Sequence, residues 1–201
     1  MPVKSKHSFV IIIIAAVVLI LGIAATFVII EAQNSRSNIE VYGNVAPFEL
    51  TERSGMAFGT KNMQGKINVV HFMFTSCQGP CPVMADNMST LYTAFAGSDQ
   101  IQFISISVDP ATDRLQVLQE YARRQGVTDN RWLFLRGDID AIKWISEGIF
   151  KLAADDLPAM HSIKFILVDD KGQIRGYYSG TDKASVNILK THIGELAQNI
   201  L

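Results

Sequence analysis

The chain has 201 residues, a formal net charge of −1 and 48% hydrophobic residues, which allows one domain with appendages. Its 18 Lys and Arg balance 19 Asp and Glu, and no basic cluster stands out, so no nucleic-acid partner is expected. The hydrophobic fraction is inflated by one segment near the start.

That segment, Phe9 to Ile30, has 22 residues and no charge. As a helix it would span roughly 33 Å, enough for a bilayer core. A cleaved signal peptide has a shorter apolar stretch and a small-x-small cleavage site close behind it. Here Glu31-Ala32-Gln33-Asn34 follows, so residues 9–30 are read as an uncleaved transmembrane anchor. Lys4 and Lys6 precede it and Glu31 follows. The positive-inside rule then puts residues 1–8 in the cytoplasm and the rest outside. No Arg-rich, Ser-rich presequence is visible. The expectation is a single-pass protein of the bacterial cytoplasmic membrane, its soluble domain on the periplasmic or extracytoplasmic side.

Residues 31–45 are polar and aperiodic and read as a linker to a domain over 46–201. Phe48–Thr51 and Met56–Phe58 flank Arg53-Ser54-Gly55 and suggest a hairpin. Ile67 to Phe74 is an apolar run that suits a buried central strand. From Pro82, Met84, Met88, Leu91, Tyr92 and Phe95 mark one helix face, which Gly97 ends. Ile101 to Val108 reads as the next strand. Asp113 is expected as the N-cap of a helix, with Gln116 completing a capping box. Leu115, Leu118, Tyr121 and Ala122 give that helix its apolar stripe, and Gly126 stops it.

Trp132 to Leu135 is a short strand, and Asp138 is expected to cap a helix carrying Ile142, Ile145 and Ile149. Ile163 to Val168 and Ile174 to Ser179 form a second hairpin about the turn Asp169-Asp170-Lys171-Gly172. Asp182 starts a last helix with Val186, Leu189, Ile193, Leu196 and Ile200 on one side. Alternating β and α units followed by a hairpin predict an α/β fold with a mixed central sheet flanked by helices.

Cys77 and Cys81 are the only cysteines. They sit where the first long strand turns into a helix, which is the placement of a redox or metal-binding dithiol in a thioredoxin-like fold. The helix dipole there favours thiolate, the form that binds metal and attacks disulfides. In an oxidising compartment such a pair closes to a disulfide unless it is reduced or held by a metal. A purely structural disulfide is disfavoured, because so short a loop constrains the unfolded chain little. His71, inside an apolar run, reads as a packed histidine, and His7 and His192 as flank and surface residues. Met73 and Met160 read as core filling rather than as thioether ligands. Asp109 reads either as a turn residue or as support for the site.

Three blocks then carry a resemblance. Phe74-Thr75-Ser76-Cys77-Gln78-Gly79-Pro80-Cys81-Pro82 is similar to the C-x-x-x-C-P site of the Sco/SenC family. Ile104-Ser105-Ile106-Ser107-Val108-Asp109-Pro110, followed by Asp113 and a helix containing Glu120-Tyr121-Ala122, resembles its "ISVDP" strand end. Met160-His161-Ser162, with the strand to Asp169 and then Gly176-Tyr177-Tyr178, resembles its histidine segment. The likeness covers roughly residues 45–201. Gln78 and Pro80 depart from the family, which often has Pro after the first cysteine and Asp before the second.

The resemblance implies a thioredoxin-like domain that binds one copper ion, Cu(I) or Cu(II), through Cys77, Cys81 and His161. It implies a membrane-anchored copper chaperone delivering the ion to the dinuclear site in the copper subunit of cytochrome c oxidase. Other copper chaperones and thioredoxin-like reductants are further partners it suggests. Two soft thiolates with an imidazole suit copper. The alternative is a thiol-disulfide oxidoreductase, with Cys77 attacking and Cys81 resolving. A peroxiredoxin-type activity is opposed by the lack of a Pro-x-x-x-Thr-x-x-Cys arrangement before Cys77.

Overall fold

The structure, a computed structural model, describes residues 4–34, 39–154, 156–159, 161–198 and 200. They form two units, Met1–Asn38 and Ile39–Leu201.

The first unit is one helix, α1, Lys4–Asn34. It contains the expected anchor, residues 9–30. Its described side chains run from Val10 to Thr26, and all are exposed. Among the described residues, no helix is long and apolar enough to cross a membrane. His7 and Met160 lie outside the residues whose side chains are described.

The second unit contains strands β1 (Gly43–Asn44), β2 (Glu49–Glu52), β3 (Ala57–Gly59), β4 (Ile67–Met73), β5 (Ile101–Ser107), β6 (Trp132–Arg136), β7 (Lys164–Val168) and β8 (Gln173–Ser179). Its helices are α2 (Cys81–Ala94), α3 (Leu115–Arg124), α4 (Ile139–Lys143, continuing as π-helical turns over Trp144–Ile149) and α5 (Lys183–Gln198). The described strands form one sheet in the order β1-β8-β7-β4-β5-β6-β2-β3. β4, β5 and β6 are parallel, and the remaining pairings are antiparallel. This is the mixed α/β, thioredoxin-like architecture expected from the chain order.

Alternation along the strands sorts the core into two layers. Val69, Phe103, Trp132, Phe134, Phe165 and Leu167 pack against α2, α3 and α5 through Met84, Met88, Leu118, Leu189 and Ile193. Val70, Phe72, Ile104, Ile106, Ile166 and Val168 face Ile142, Ile145 and Ile149 on the other side. β4 is buried at every residue, as expected for a central strand covered on both faces. Gly97 and Gly126, at φ +83 and +75, supply the left-handed conformation that ends α2 and α3.

Two local expectations change. Residues 39–45 are not a free tether. Tyr42 N donates to Ile174 O at 2.8 Å, Gly43 and Asn44 pair with β8, and Arg175 donates to the carbonyls of Ile39 and Glu40. The same Arg175 pairs with buried Asp169 at 2.8 Å, which fixes its fork for those carbonyls. Second, the N-cap of α3 is Arg114, with no side-chain cap bond, because the Asp113 carboxylate turns inward. Asp138 does hold the N-cap of α4, although its side chain makes no cap bond. Asp182 caps α5, accepting from Ala184 N and Ser185 N.

His71 is packed, as expected, at 3% exposure. Its Nε2 lies 2.6 Å from Ser105 Oγ, which also accepts from Trp132 Nε1 at 2.8 Å. Its Nδ1 is buried without a hydrogen-bond partner. Burial first, and the nearby His161 second, push its pKa down to about 3. A depressed folded value means that the stability it contributes is present above the ordinary value near 6.5 and is lost as pH falls toward 3. A His71→Gln variant should therefore show a flatter acid limb in urea midpoint against pH than the wild type. Superimposable acid limbs would show that His71 is not the group responsible.

Candidate metal centre

Cys77 lies in the segment between β4 and α2, where Cys77 N donates to Phe74 O at 3.3 Å. Cys81 is the first residue of α2, after Pro80 at the cap position. The intervening turn is not helical, so the pair meets through a loop folded back on the helix start. His161 stands three residues before β7. β7 pairs with β4 in the register Asn68↔Val168, Val69↔Leu167, Val70↔Ile166. Extended along the ladder, that register brings position 161 level with position 75, beside the cysteine loop.

The result is a group of three. Cys77 Sγ, Cys81 Sγ and a His161 ring nitrogen lie within 4.8 Å of one another. His161 Nε2 is 3.1 Å from Cys81 Sγ, and His161 Nδ1 is 3.1 Å from Ser162 O. A carbonyl only accepts, so Nδ1 carries the hydrogen and Nε2 presents its lone pair to the sulfur. This orients the ring as a ligand, in the way that backbone carbonyls commonly orient metal-binding histidines. Phe74 packs edge-on to the imidazole at 5.6 Å. Cys81 and His161 are buried and Cys77 is half-buried, so the site is most accessible on the Cys77 side.

Both cysteines are free thiols. The expectation that the helix dipole makes the pair thiolate fails at Cys81. Burial first, then a hydrogen bond with Cys77, pushes its pKa up to about 12. A dipole at the first turn contributes about 0.3–1 kcal/mol and does not offset that desolvation. His161 is displaced below the ordinary imidazole range by burial, partly opposed by its bond to Ser162. Without a metal, burial therefore holds Cys81 as a thiol beside an unprotonated imidazole. The donor set fits a soft ion, since a thiophilic metal replaces the thiol protons and the Nε2 lone pair is already aimed inward.

Among the other residues singled out from sequence, Met73 is core at 2% exposure, and His192 bonds Tyr178 OH through Nδ1 at 2.6 Å. Asp109 serves its own turn. Its carboxylate accepts from Thr112 N at 3.3 Å, and its carbonyl accepts from Asp113 N at 2.9 Å. The carboxylate that reaches the cysteine loop is Asp113, fully buried, which accepts from Thr75 and Ser107. Its helix-start position made capping the natural assignment. A signal was present all the same, in an aspartate close behind a strand that ends in serine and a Pro-containing turn.

A family model, SCO1/SenC, matches residues 37–194. The chain belongs to the SCO1/SenC family. It is 31% identical over 160 residues to the Saccharomyces cerevisiae protein named Protein SCO2, mitochondrial, covering 72% of this chain and 52% of that one. The chain thus spans about half the length of that relative. Among solved structures, a SCO1/SenC family lipoprotein from Bacillus anthracis superposes with a TM-score of 0.71 at 30% identity, over 77% of this chain and 95% of the other. Yeast Sco1 with copper bound superposes at 0.60 with 26% identity, over 76% of this chain and 89% of that one.

The thiol chemistry has a direct check. The folded Cys81 thiol holds its proton to about pH 12, above the ordinary 9.0. It contributes stability present below pH 9 and lost as pH rises toward 12. In the reduced, metal-free protein at mildly alkaline pH, iodoacetamide should modify Cys77 at least roughly tenfold faster than Cys81, because the thiolate is the nucleophile. Equal rates, read by peptide mass spectrometry, would refute the burial argument.

Proposed function

We propose that this protein is a copper chaperone that holds one copper ion through Cys77 Sγ, Cys81 Sγ and His161 Nε2. It passes that ion to the dinuclear copper site of cytochrome c oxidase during assembly of the respiratory complex. The observation that carries the reading is the convergence of two sulfurs and an oriented Nε2 from positions up to 84 residues apart. Membership in the SCO1/SenC family and the copper-bound state of a similar yeast protein support copper over other soft ions. Binding releases the thiol protons, so affinity rises with pH. The half-buried Cys77 is the member that a client's ligands meet first, which suits transfer by ligand exchange.

The domain works at a membrane surface, held by residues 9–30, with the copper site on the extracytoplasmic side. The support is the uncharged 22-residue run within the continuous helix α1, and the lysines ahead of it. Alkaline carbonate washing of bacterial membranes should leave the full chain in the pellet. Its release into the supernatant would remove the anchor.

The same pair also supports thiol-disulfide exchange, because both sulfurs are free and lie close together. Closing the Cys77–Cys81 disulfide delivers two electrons and two protons to a client disulfide, which leaves as two thiols. His161 separates the readings, since a pure reductase does not need it.

Titration of Cu(I) and Cu(II) into the reduced full chain should show one ion per protein, with thiolate-to-copper charge-transfer bands for Cu(II). His161→Ala and Cys77→Ser should each weaken binding by at least about tenfold, roughly 1.4 kcal/mol. If the wild type binds copper no tighter than the variants, the chaperone reading falls and disulfide reduction becomes the activity to assay.

A further inference from the structure

Of the two cysteines, Cys77 alone lies outside regular secondary structure. Cys81 begins α2, and His161, three residues before β7, has its ring oriented by the Ser162 carbonyl. Residues 74–80, which carry Cys77, belong to no strand or helix. Several polar contacts tie that segment down, and they converge on one carboxylate.

Asp113 is fully buried. Its Oδ2 accepts from Thr75 N at 3.2 Å and from Ser107 Oγ at 2.6 Å. Its Oδ1 accepts from Thr75 Oγ1 at 2.5 Å and lies 3.4 Å from Thr75 N. Thr75 is two residues before Cys77, and Ser107 ends β5. The backbone of Asp113 is itself anchored. Its N donates to Asp109 O at 2.9 Å. Its carbonyl accepts from Arg136 Nε at 3.0 Å, while Arg136 Nη2 donates to Pro110 O at 2.9 Å. A carboxylate fixed from behind thus grips the loop by both the backbone and the side chain of one residue.

We infer that Asp113 is a positioning residue, which acts through Thr75 to set Cys77 against Cys81 and His161. Without it the loop samples conformations in which Cys77 Sγ is away from the other two donors. The ordering entropy then opposes ligand binding instead of having been met on folding. The copper arm of the test rests on the function proposed above. The dithiol arm does not.

The experiment uses the full chain in detergent. Cu(I) affinity is measured by competition with a chromophoric chelator, for Asp113→Ala in the wild-type, His161→Ala and Cys77→Ser backgrounds. Loss of an outer hydrogen-bond partner typically costs about 10–100-fold in metal affinity. That loss is expected in the wild-type and His161→Ala backgrounds, and no further loss in Cys77→Ser, where the residue being positioned is gone. A merely structural role would weaken all three alike, and that result would overturn the inference.

In the second arm, metal-free protein is equilibrated with reduced and oxidised glutathione. Glutathione disulfide takes two electrons and two protons from Cys77 and Cys81 and leaves as two glutathione thiols. Asp113→Ala should shift this equilibrium several-fold, while an unchanged constant counts against the inference. If the wild type binds no copper, the chaperone reading fails and this arm still decides on Asp113. Thr75→Val removes only the hydroxyl contact and should shift both readouts in the same direction by a smaller factor. If Asp113→Ala does not fold, Thr75→Val decides in its place, and no shift in it then overturns the inference.

Discussion

The antiparallel pairing of β7 with β4 is the constraint on which the site depends. β4 ends where the cysteine loop begins, and β7 begins three residues after His161. The register between them therefore decides whether an imidazole meets the two sulfurs. A slip by one residue would turn Phe165 and Leu167, which pack under α2 and α5, to the opposite face. The two-layer core thus enforces the register, and the register enforces the ligand set. Since 80 residues separate Cys81 from His161, packing has to supply the proximity.

Around that meeting point, electrostatics is governed by burial more than by the helix terminus. α2 directs its positive end at Cys81, yet the Cys81 thiol is driven toward its neutral form and so is His161. A buried Cys81 thiol beside a neutral imidazole is compatible with burial, whereas an uncompensated buried thiolate would not be. A soft cation reverses the balance by supplying the missing charge. Such a site discharges its protons when the ion arrives and takes them back when the ion leaves. This suits a carrier better than a permanent store.

Several polar side chains of the second unit tie together segments distant in sequence. Asn68 donates to the carbonyls of Met63 and Lys66 and accepts from Gln102. Arg175 joins Asp169 to the entry segment at Ile39 and Glu40. Asp113 joins the cysteine loop to β5 and, through its carbonyl, to β6. Asp109, the more conspicuous aspartate before proline, stays within its own turn. Its place at a strand end suggested support for the site, but sequence alone could not say which of two aspartates four residues apart turns inward. That depends on which donors lie within reach after folding.

The local code in the chain was enough for most of the elements. Apolar runs, helix-face spacing and the glycines at 97 and 126 placed β4 to β8 and α2 to α5 to within a few residues, because these preferences act between near neighbours. The cysteine pair at a strand-to-helix turn was equally legible, and with the resemblance so was the family. What only the tertiary structure decided is long-range. It brought His161 beside Cys81, docked residues 39–45 on β8, took Asp113 away from capping α3, and made Cys81 a thiol despite the helix dipole. Each of these outcomes is a competition between burial and hydrogen bonding among segments far apart in the chain, and such a competition has no result until the sheet register and the two core layers are in place.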